Sequence, residues 1–356
     1  MLRRILITGN EAMAEGAIRA GCRFYYGYPI TPQNEVPEYM SRRMSEVGGV
    51  FIQAESELAA INMVLGSAAA GMRAMTSSSS PGISLKMEGI SYLAGCQLPA
   101  VIANVQRGGP GLGGIGASQA DYFQATKGGG HGDYHLIVLA PSNVQEMADL
   151  ATLAFDLADR YRNPVMILAD AQVGQTMEPL VWREYTPPPD LPAKDWALTG
   201  TNGRPKRVIK SLFLAPGALE KHNILLQEKY ARIREKEVRC EETSAADAQL
   251  VLVAYGCSAR MAKELVRRGV KGGRIGLLRP ITLWPFPEKR IRELAEAGKD
   301  FLVVEMSAGQ MLEDVRLAVE GRSRVGFYGR MSGGVVTIGE MAGKAEEMLA
   351  GGKRNR

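Results

Sequence analysis

"VGGVFIQAESELAAINMVLGSAAAGMRAMTSSSS", residues 47–80, decides the fold class through its changes of period. The opening "VGGVFIQA" is a short apolar run that reads as a strand. Residues 58–72 then carry no charge and are rich in Ala, Gly and Ser. Side chains this small let a helix pack tightly against its neighbours, so a buried helix is expected. The run is too small-residued and polar to span a membrane. "RAMTSSSS", 73–80, returns to a strand. Two acids, Glu55 and Glu57, stand at the mouth of the apolar helix. An acid near a helix N-terminus complements the macrodipole. That alone does not explain a carboxylate at the head of a run expected to be buried.

The same alternation extends in both directions. Upstream, "RRILITG" (3–9) and "RFYYGYP" (23–29) read as strands around the helix "NEAMAEGAIRAG" (10–21). Downstream come the helix "PGISLKMEGISYLAG" (81–95) and the strand "LPAVIANVQ" (98–106), which ends in the glycine-rich "RGGPGLGGIG" (107–116). The strand "YHLIVLA" (134–140) and the amphipathic helix 141–162 follow, and "NPVMILAD" (163–170) closes the set. Ser142 and Gln145 have capping-box spacing at the head of that helix. Continuous apolar strands alternating with helices predict a parallel sheet covered on both faces.

Residues 186–207 lose all periodicity, and "EKHNILLQEKYARIREKEVR" (220–239) reads as a charged helix. A second alternating unit begins near Asp247 and includes "RIGLLRPITLWPFP" (274–287) as a strand segment. The expected division is 1–190 for the first α/β domain, 191–245 for a connecting segment and 246–356 for a smaller α/β domain.

The chain has 356 residues, 46% hydrophobic and 23% charged, with a formal net charge of +5. That is ordinary for a soluble globular protein, and the scattered basic pairs form no nucleic-acid stripe. Cys22, Cys96, Cys240 and Cys257 are far apart. This argues for reduced thiols in the cytoplasm, and against a zinc knuckle or an iron–sulfur cluster on this chain alone. His131 and His135 are four apart, but glycines around them deny the helix that would make the spacing a metal pair.

Ligands of parallel α/β sheets sit beyond the carboxyl ends of the strands. Three unusual loops are predicted there. "GYPITPQNE" (27–35) holds Thr31 between two prolines and runs into a helix start; a rigid turn is the plainer reading. "TSSSSPG" (76–82) offers hydroxyls, as ligand wall or as helix cap. "QRGGPGLGG" (106–114) places Arg107 at a strand end, where it suits a carboxylate or phosphate, or a surface ion pair. No dinucleotide fingerprint, phosphate loop, nucleophile elbow or HExxH occurs, so a nicotinamide dehydrogenase is disfavoured and a cofactor is expected to carry the chemistry.

Together, "YPITP" (28–32), "ESELAA" followed by "NMVLGSAAAG", then "TSSSSPG", then "RGGPG" after an apolar strand resemble the α subunit of the 2-oxoacid:ferredoxin oxidoreductases, and most closely the branched-chain 2-oxoisovalerate type. The resemblance spans essentially the whole chain. It implies a pyrimidine-binding thiamin diphosphate domain and a transketolase C-terminal-like domain. It makes Glu57 the carboxylate that hydrogen-bonds N1′ of the cofactor's aminopyrimidine and favours its imino tautomer; Glu55 falls short of the family position. It assigns Thr31 to the substrate carboxylate or the cofactor, Arg107 to the substrate carboxylate, and Tyr28, Pro29 and the serine loop, Ser79 and Ser80 included, to the same pocket. The implied activity is CoA-dependent oxidative decarboxylation of a 2-oxoacid, with electrons to ferredoxin.

The chain lacks the GDG-and-Asn pattern that holds the diphosphate through Mg2+ and lacks a ferredoxin-like cysteine run. The resemblance therefore places Mg2+ and the iron–sulfur clusters on partners: a β subunit, a γ subunit and a ferredoxin-like subunit, in a dimer of heteromers. Neither nucleic acid nor a membrane is expected as a partner. A 2-oxoglutarate substrate would need an extra cation, for which Arg23, Lys86 or a residue of a partner subunit is a candidate. A non-catalytic assembly role is the remaining alternative.

Overall fold

A computed structural model describes residues 4–201 and 203–352. Its larger sheet has seven strands in the order Thr282–Trp284, Ile137–Leu139, Pro164–Asp170, Ala100–Gln106, Ala74–Ser78, Phe24–Gly27, Val50–Gln53. All pairings are parallel except that of the first strand. Ala100–Gln106 and Pro164–Asp170 are buried along their whole length, as expected for central strands covered on both faces. Helices Gly9–Arg19 and Val144–Tyr161 pack together, as do Glu57–Ala69 and Ser80–Gly95. The smaller sheet is ordered Val325–Gly329, Asp300–Glu305, Leu250–Val253, Ile275–Pro280, Cys240–Thr243, with only the last strand antiparallel.

The expected α/β class holds, and four local readings need correction. "RRILITG" does not join the parallel sheet: Arg4–Thr8 pairs antiparallel with Met177–Val181 in a separate ribbon. "RIGLLRPITLWPFP" is two strands in two sheets. The chain leaves the smaller sheet after Pro280, and Thr282–Trp284 pairs antiparallel with Ile137–Leu139 at the edge of the larger one. There Trp284 stacks on His135 with ring centroids 4.5 Å apart. The cap of the 144–161 helix sits one residue later than the sequence spacing suggests. Asn143 Oδ1 accepts from the Glu146 amide at 2.9 Å, and Glu146 Oε2 accepts from the Ser142 amide at 2.9 Å. Gln145 instead accepts from the Val181 amide at 3.0 Å. Finally, helix Glu57–Ala69 is not covered all round: Leu58, Asn62 and Gly66 form an exposed stripe at i, i+4, i+8. Small residues permit close packing but do not say which faces receive a neighbour.

Asp170, at the carboxyl end of a central strand, joins the two units. Its carboxylate accepts from the Val173 amide at 3.0 Å and from the Cys257 amide at 2.8 Å. The four cysteines are unpaired, two buried and two half-buried. Among the described residues, no helix is long and apolar enough to cross a membrane.

Candidate active site

Four consecutive strands of the larger sheet, Ala100–Gln106, Ala74–Ser78, Phe24–Gly27 and Val50–Gln53, end on one side. The loops beyond them carry Arg107, Ser79–Ser80, Tyr28–Thr31 and Glu57 respectively. The topology thus gathers Thr31, Glu57, Arg107 and the serine loop at one edge, with Arg23 at the opposite, amino end of its strand.

Ser56 caps the helix Glu57–Ala69, its hydroxyl accepting from the Ala59 amide at 3.2 Å. Glu57 is the first helical residue and only 6% exposed, whereas Glu55 is exposed. Among the described residues no hydrogen bond or ion pair reaches the Glu57 carboxylate. A carboxylate sheltered this way is poorly solvated and is poised to take a ligand's donor. Opposite it, helix Ser80–Gly95 presents Gly82, Lys86 and Gly89 at i, i+4, i+7, the spacing of one helix face. A Cβ at Gly82 would lie 2.1 Å from Ser78 Oγ and 2.5 Å from Glu57 Oε1; one at Gly89 would lie 2.5 Å from Ile61 Cγ2. The missing side chains let the two helices close. Between them the fully buried Lys86 donates to the Glu57 main-chain carbonyl at 3.4 Å. Burial pushes the Lys86 ammonium down to about 8, with nearby Glu57 opposing the shift.

The serine loop divides by role. Ser77 Oγ bonds the Tyr25 hydroxyl at 2.6 Å and donates to Gln33 Oε1. Ser80 is taken up internally: its hydroxyl donates to Asp121 at 2.6 Å and accepts from the Arg107 amide at 3.0 Å. Ser78 Oγ, Ser79 Oγ, Thr76 Oγ1 and Gln33 Nε2 are buried without a partner among the described residues. Orphaned buried polar atoms are uncommon in folded proteins. Three on the serine segment and one on the neighbouring 27–35 loop, beside a cradle that any Cβ at residue 82 would fill, fit a polar ligand seated against Glu57.

Arg107 is 7% exposed and donates to the carbonyls of Thr31 at 3.0 Å and Leu112 at 2.9 Å. Its Nε is buried without a partner, and among the described residues no carboxylate pairs with the guanidinium. A buried cation held by neutral carbonyls keeps charge available for an anion. The surface ion pair considered from sequence is therefore not its role. Thr31 is half-buried, its hydroxyl accepting from Asn34 at 3.2 Å, while Tyr28 and Pro29 are exposed at the rim. Asn10 pins this loop by donating to the Pro32 carbonyl at 2.9 Å and to Glu35 at 2.8 Å. Asn10, Tyr25, Gly82, Asn104 and Asp121 are not singled out in the sequence reading, and Gln33 enters it only as part of a helix start. Only Gly82 left a local signal, through the Gly82–Lys86–Gly89 spacing.

A parallel α/β sheet with these strand-end loops, followed by a second α/β unit, is an arrangement that holds a ligand beyond the carboxyl ends of the strands. Residues 15–202 match the family described as pyruvate flavodoxin/ferredoxin oxidoreductase, thiamine diphosphate-binding, and residues 248–341 match pyruvate:ferredoxin oxidoreductase core domain II. The chain is 54% identical to ketoisovalerate oxidoreductase subunit VorB of Methanothermobacter marburgensis over 344 residues, covering 96% of this chain and 97% of the relative. It is 37% identical to 2-oxoglutarate synthase subunit KorA of Methanothermobacter thermautotrophicus, covering 94% and 96%. Among solved structures, the 2-oxoglutarate:ferredoxin oxidoreductase of Magnetococcus marinus superposes with a TM-score of 0.84 at 25% identity, over 97% of this chain and 65% of that one. A split-gene transketolase, at 12% identity and a TM-score of 0.58, shares the fold. The chain belongs to the pyruvate flavodoxin/ferredoxin oxidoreductase family.

The Gly82 cradle leads to a direct expectation. Gly82→Ala removes no functional group, yet its methyl cannot coexist with the present positions of Ser78 Oγ and Glu57 Oε1. Thiamin diphosphate affinity of the assembled complex, followed by titration calorimetry, should fall by about 10-fold or more, the size of effect that a misplaced first contact produces. Unchanged affinity would show that this cradle is not where the cofactor sits.

Proposed function

We propose that this chain is the α-type subunit of a thiamin-diphosphate-dependent 2-oxoacid:ferredoxin oxidoreductase acting on 2-oxoisovalerate. The reaction joins the acyl group to CoA, releases CO2 and passes two electrons to ferredoxin. The observation that carries this reading is the buried Glu57 carboxylate at a helix start, without a partner among the described residues, set on the same sheet edge as an Arg107 guanidinium that no described carboxylate pairs.

Residues 1–190 would form the pyrimidine-binding half of the cofactor site, with 191–245 connecting to the second unit at 246–356. When bound, thiamin diphosphate supplies a carbon nucleophile for the 2-oxo carbonyl and a sink for the electron pair that remains as CO2 leaves. Glu57 holds or returns a proton at its carboxylate toward the aminopyrimidine N1′, and its dry setting strengthens that hydrogen bond. Ser78, Ser79 and Gln33 offer their free polar atoms to the same ring. Arg107 neutralises and orients the substrate carboxylate, with Thr31 beside it. The exposed Tyr28 and Pro29 form the rim that a β subunit would cover. That partner would bring the diphosphate and Mg2+ ligands this chain lacks, and the iron–sulfur clusters would sit on partner subunits.

Two facts support a branched-chain substrate over 2-oxoglutarate. The named ketoisovalerate relative is much the more similar of the two types. Neither cation considered for a second carboxylate is free at the site: Arg23 donates to the carbonyls of Ile18 at 2.9 Å and Cys22 at 2.8 Å, at the amino end of its strand, and Lys86 is sealed against Glu57. The complex, assayed by CoA-dependent viologen reduction, should prefer 2-oxoisovalerate over 2-oxoglutarate and pyruvate by about 10-fold or more in kcat/KM, the scale on which an apolar pocket discriminates. A preference for 2-oxoglutarate would overturn the substrate assignment and leave the chemistry standing.

A further inference from the structure

Asp121 takes no part in the assignments above, yet its carboxylate lies at the centre of the bonds that set the Arg107 strand end. One of its oxygens, Oδ2, accepts from Ser80 Oγ at 2.6 Å and from Asn104 Nδ2 at 2.9 Å. The same Ser80 hydroxyl accepts from the Arg107 main-chain amide at 3.0 Å, and the Ser80 amide donates to Asn104 Oδ1 at 3.2 Å. Asp121's own amide donates to Gln106 Oε1 at 3.1 Å, on the residue just before Arg107. Three chain segments that are distant in sequence are thus closed into one ring of hydrogen bonds. Among the described residues no cation pairs with Asp121. Burial pushes its carboxyl up, and the Ser80 and Asn104 bonds oppose that shift.

Two residues earlier, Gln119 ties the segment to the second α/β unit. Its Nε2 donates to the Tyr255 carbonyl at 2.9 Å; its Oε1 accepts from Ser258 Oγ and from the Met306 amide, both at 2.9 Å. The Gln119 amide donates to the Met306 carbonyl at 2.9 Å, and the Tyr255 hydroxyl donates to the Gln119 carbonyl at 3.0 Å. A stretch of three residues therefore has one end fixed in the second unit and the other hydrogen-bonded under Arg107.

We propose that Asp121 is a positioning residue for substrate binding, holding the Arg107 backbone through the Ser80 hydroxyl, and that the second α/β unit contributes to the site by anchoring this segment through Gln119. The proposal rests on the reading that Arg107 binds the substrate carboxylate. A guanidinium placed through its main chain can engage a small carboxylate only while that main chain stays put, so disturbance should appear as weakened substrate binding, with turnover and cofactor affinity largely kept.

The test uses the assembled complex. Asp121→Ala should raise KM for 2-oxoisovalerate by about 10-fold or more, with kcat within about threefold and thiamin diphosphate affinity within about twofold of the parent, since a lost hydrogen bond to a charged group is worth this much. Asp121→Asn keeps one oxygen, enough to accept both bonds, and should restore KM to within about threefold of the parent. Ser80→Ala should reproduce the KM rise, and it keeps the test open if Asp121→Ala fails to fold. KM unchanged in both Asp121→Ala and Ser80→Ala, or a parallel loss of cofactor affinity, would overturn the positioning role. Arg107→Met separates the layers: KM raised there but not in Asp121→Ala sinks only the Asp121 proposal, while KM unchanged there sinks the carboxylate reading beneath it.

Discussion

Glu57→Gln in the assembled complex is expected to lower turnover by about 10²–10⁴-fold, the range over which a positioned acid–base group contributes. Glutamine keeps the shape and one acceptor oxygen, so neither the helix start nor the Gly82 cradle should be disturbed. What is lost is the ability to carry charge and to exchange a proton with the aminopyrimidine. The carboxylate is buried and no cation forms an ion pair with it among the described residues, so neutralising it removes an unfavourable burial of charge, but it also removes the attraction that favours the charged form of the buried Lys86 nearby. The two effects oppose each other, so the thermal midpoint should shift little while activity collapses. Glu55→Gln, two residues away and exposed, should leave turnover within about twofold, because solvent already screens that carboxylate. Activity within about threefold of the parent in Glu57→Gln would favour a subunit that only assembles the complex. Cofactor occupancy has to be measured alongside, so that failed binding is not read as failed chemistry.

The sequence made the strand–helix alternation legible because central parallel strands are apolar throughout and their covering helices are not. It made Glu57 legible for a related reason: a charge at the head of a long uncharged run stands out against its neighbours. Polar residues whose partners lie far along the chain leave no such contrast. Asn10 meets Pro32 across 22 residues, Tyr25 meets Ser77 across 52, and Gln119 meets Met306 across 187. Each looks locally like an ordinary surface residue. The sheet switch at Pro280 was hidden because Thr282–Trp284 has the same apolar, β-favouring character in either sheet. The exposed stripe on the Glu57 helix was hidden because Leu58 is of a type usually buried, Asn62 is a single polar interruption and Gly66 carries no side chain to mark a face.

Arg73→Met should cost about 3–5 kcal/mol of stability, the usual penalty for breaking a sheltered ion pair from one side. Arg73 precedes the strand whose far end carries Ser78 and Ser79, so it sits at the opposite end of the sheet from the site. Its guanidinium bonds Asp156 and Asp159 at 2.8 Å each, donates to the Tyr185 hydroxyl at 2.7 Å and reaches the Ala20 carbonyl. Tyr185 in turn donates to Asp156 at 2.7 Å, and Lys194 pairs with Asp159 at 2.7 Å. The arginine thus fastens the segment around residues 182–196 against the helix Val144–Tyr161. Methionine would fill the space and strand two sheltered carboxylates, of which Asp159 alone keeps a cation. The triple variant R73M/D156N/D159N, which leaves no carboxylate to strand and only the partly exposed Lys194 without its partner, should recover about half of the loss or more. Trp182 and Trp196, two of the three tryptophans, lie in this segment. Urea unfolding followed by tryptophan emission should therefore show an early transition in Arg73→Met that the parent lacks. A loss below about 1 kcal/mol would place the network among surface pairs of little net worth. Because the damage lies at the amino end of the strands, folded Arg73→Met complex should keep the parent's KM and cofactor affinity, so one strand, Ala74–Ser78, would carry stability at its start and function at its finish.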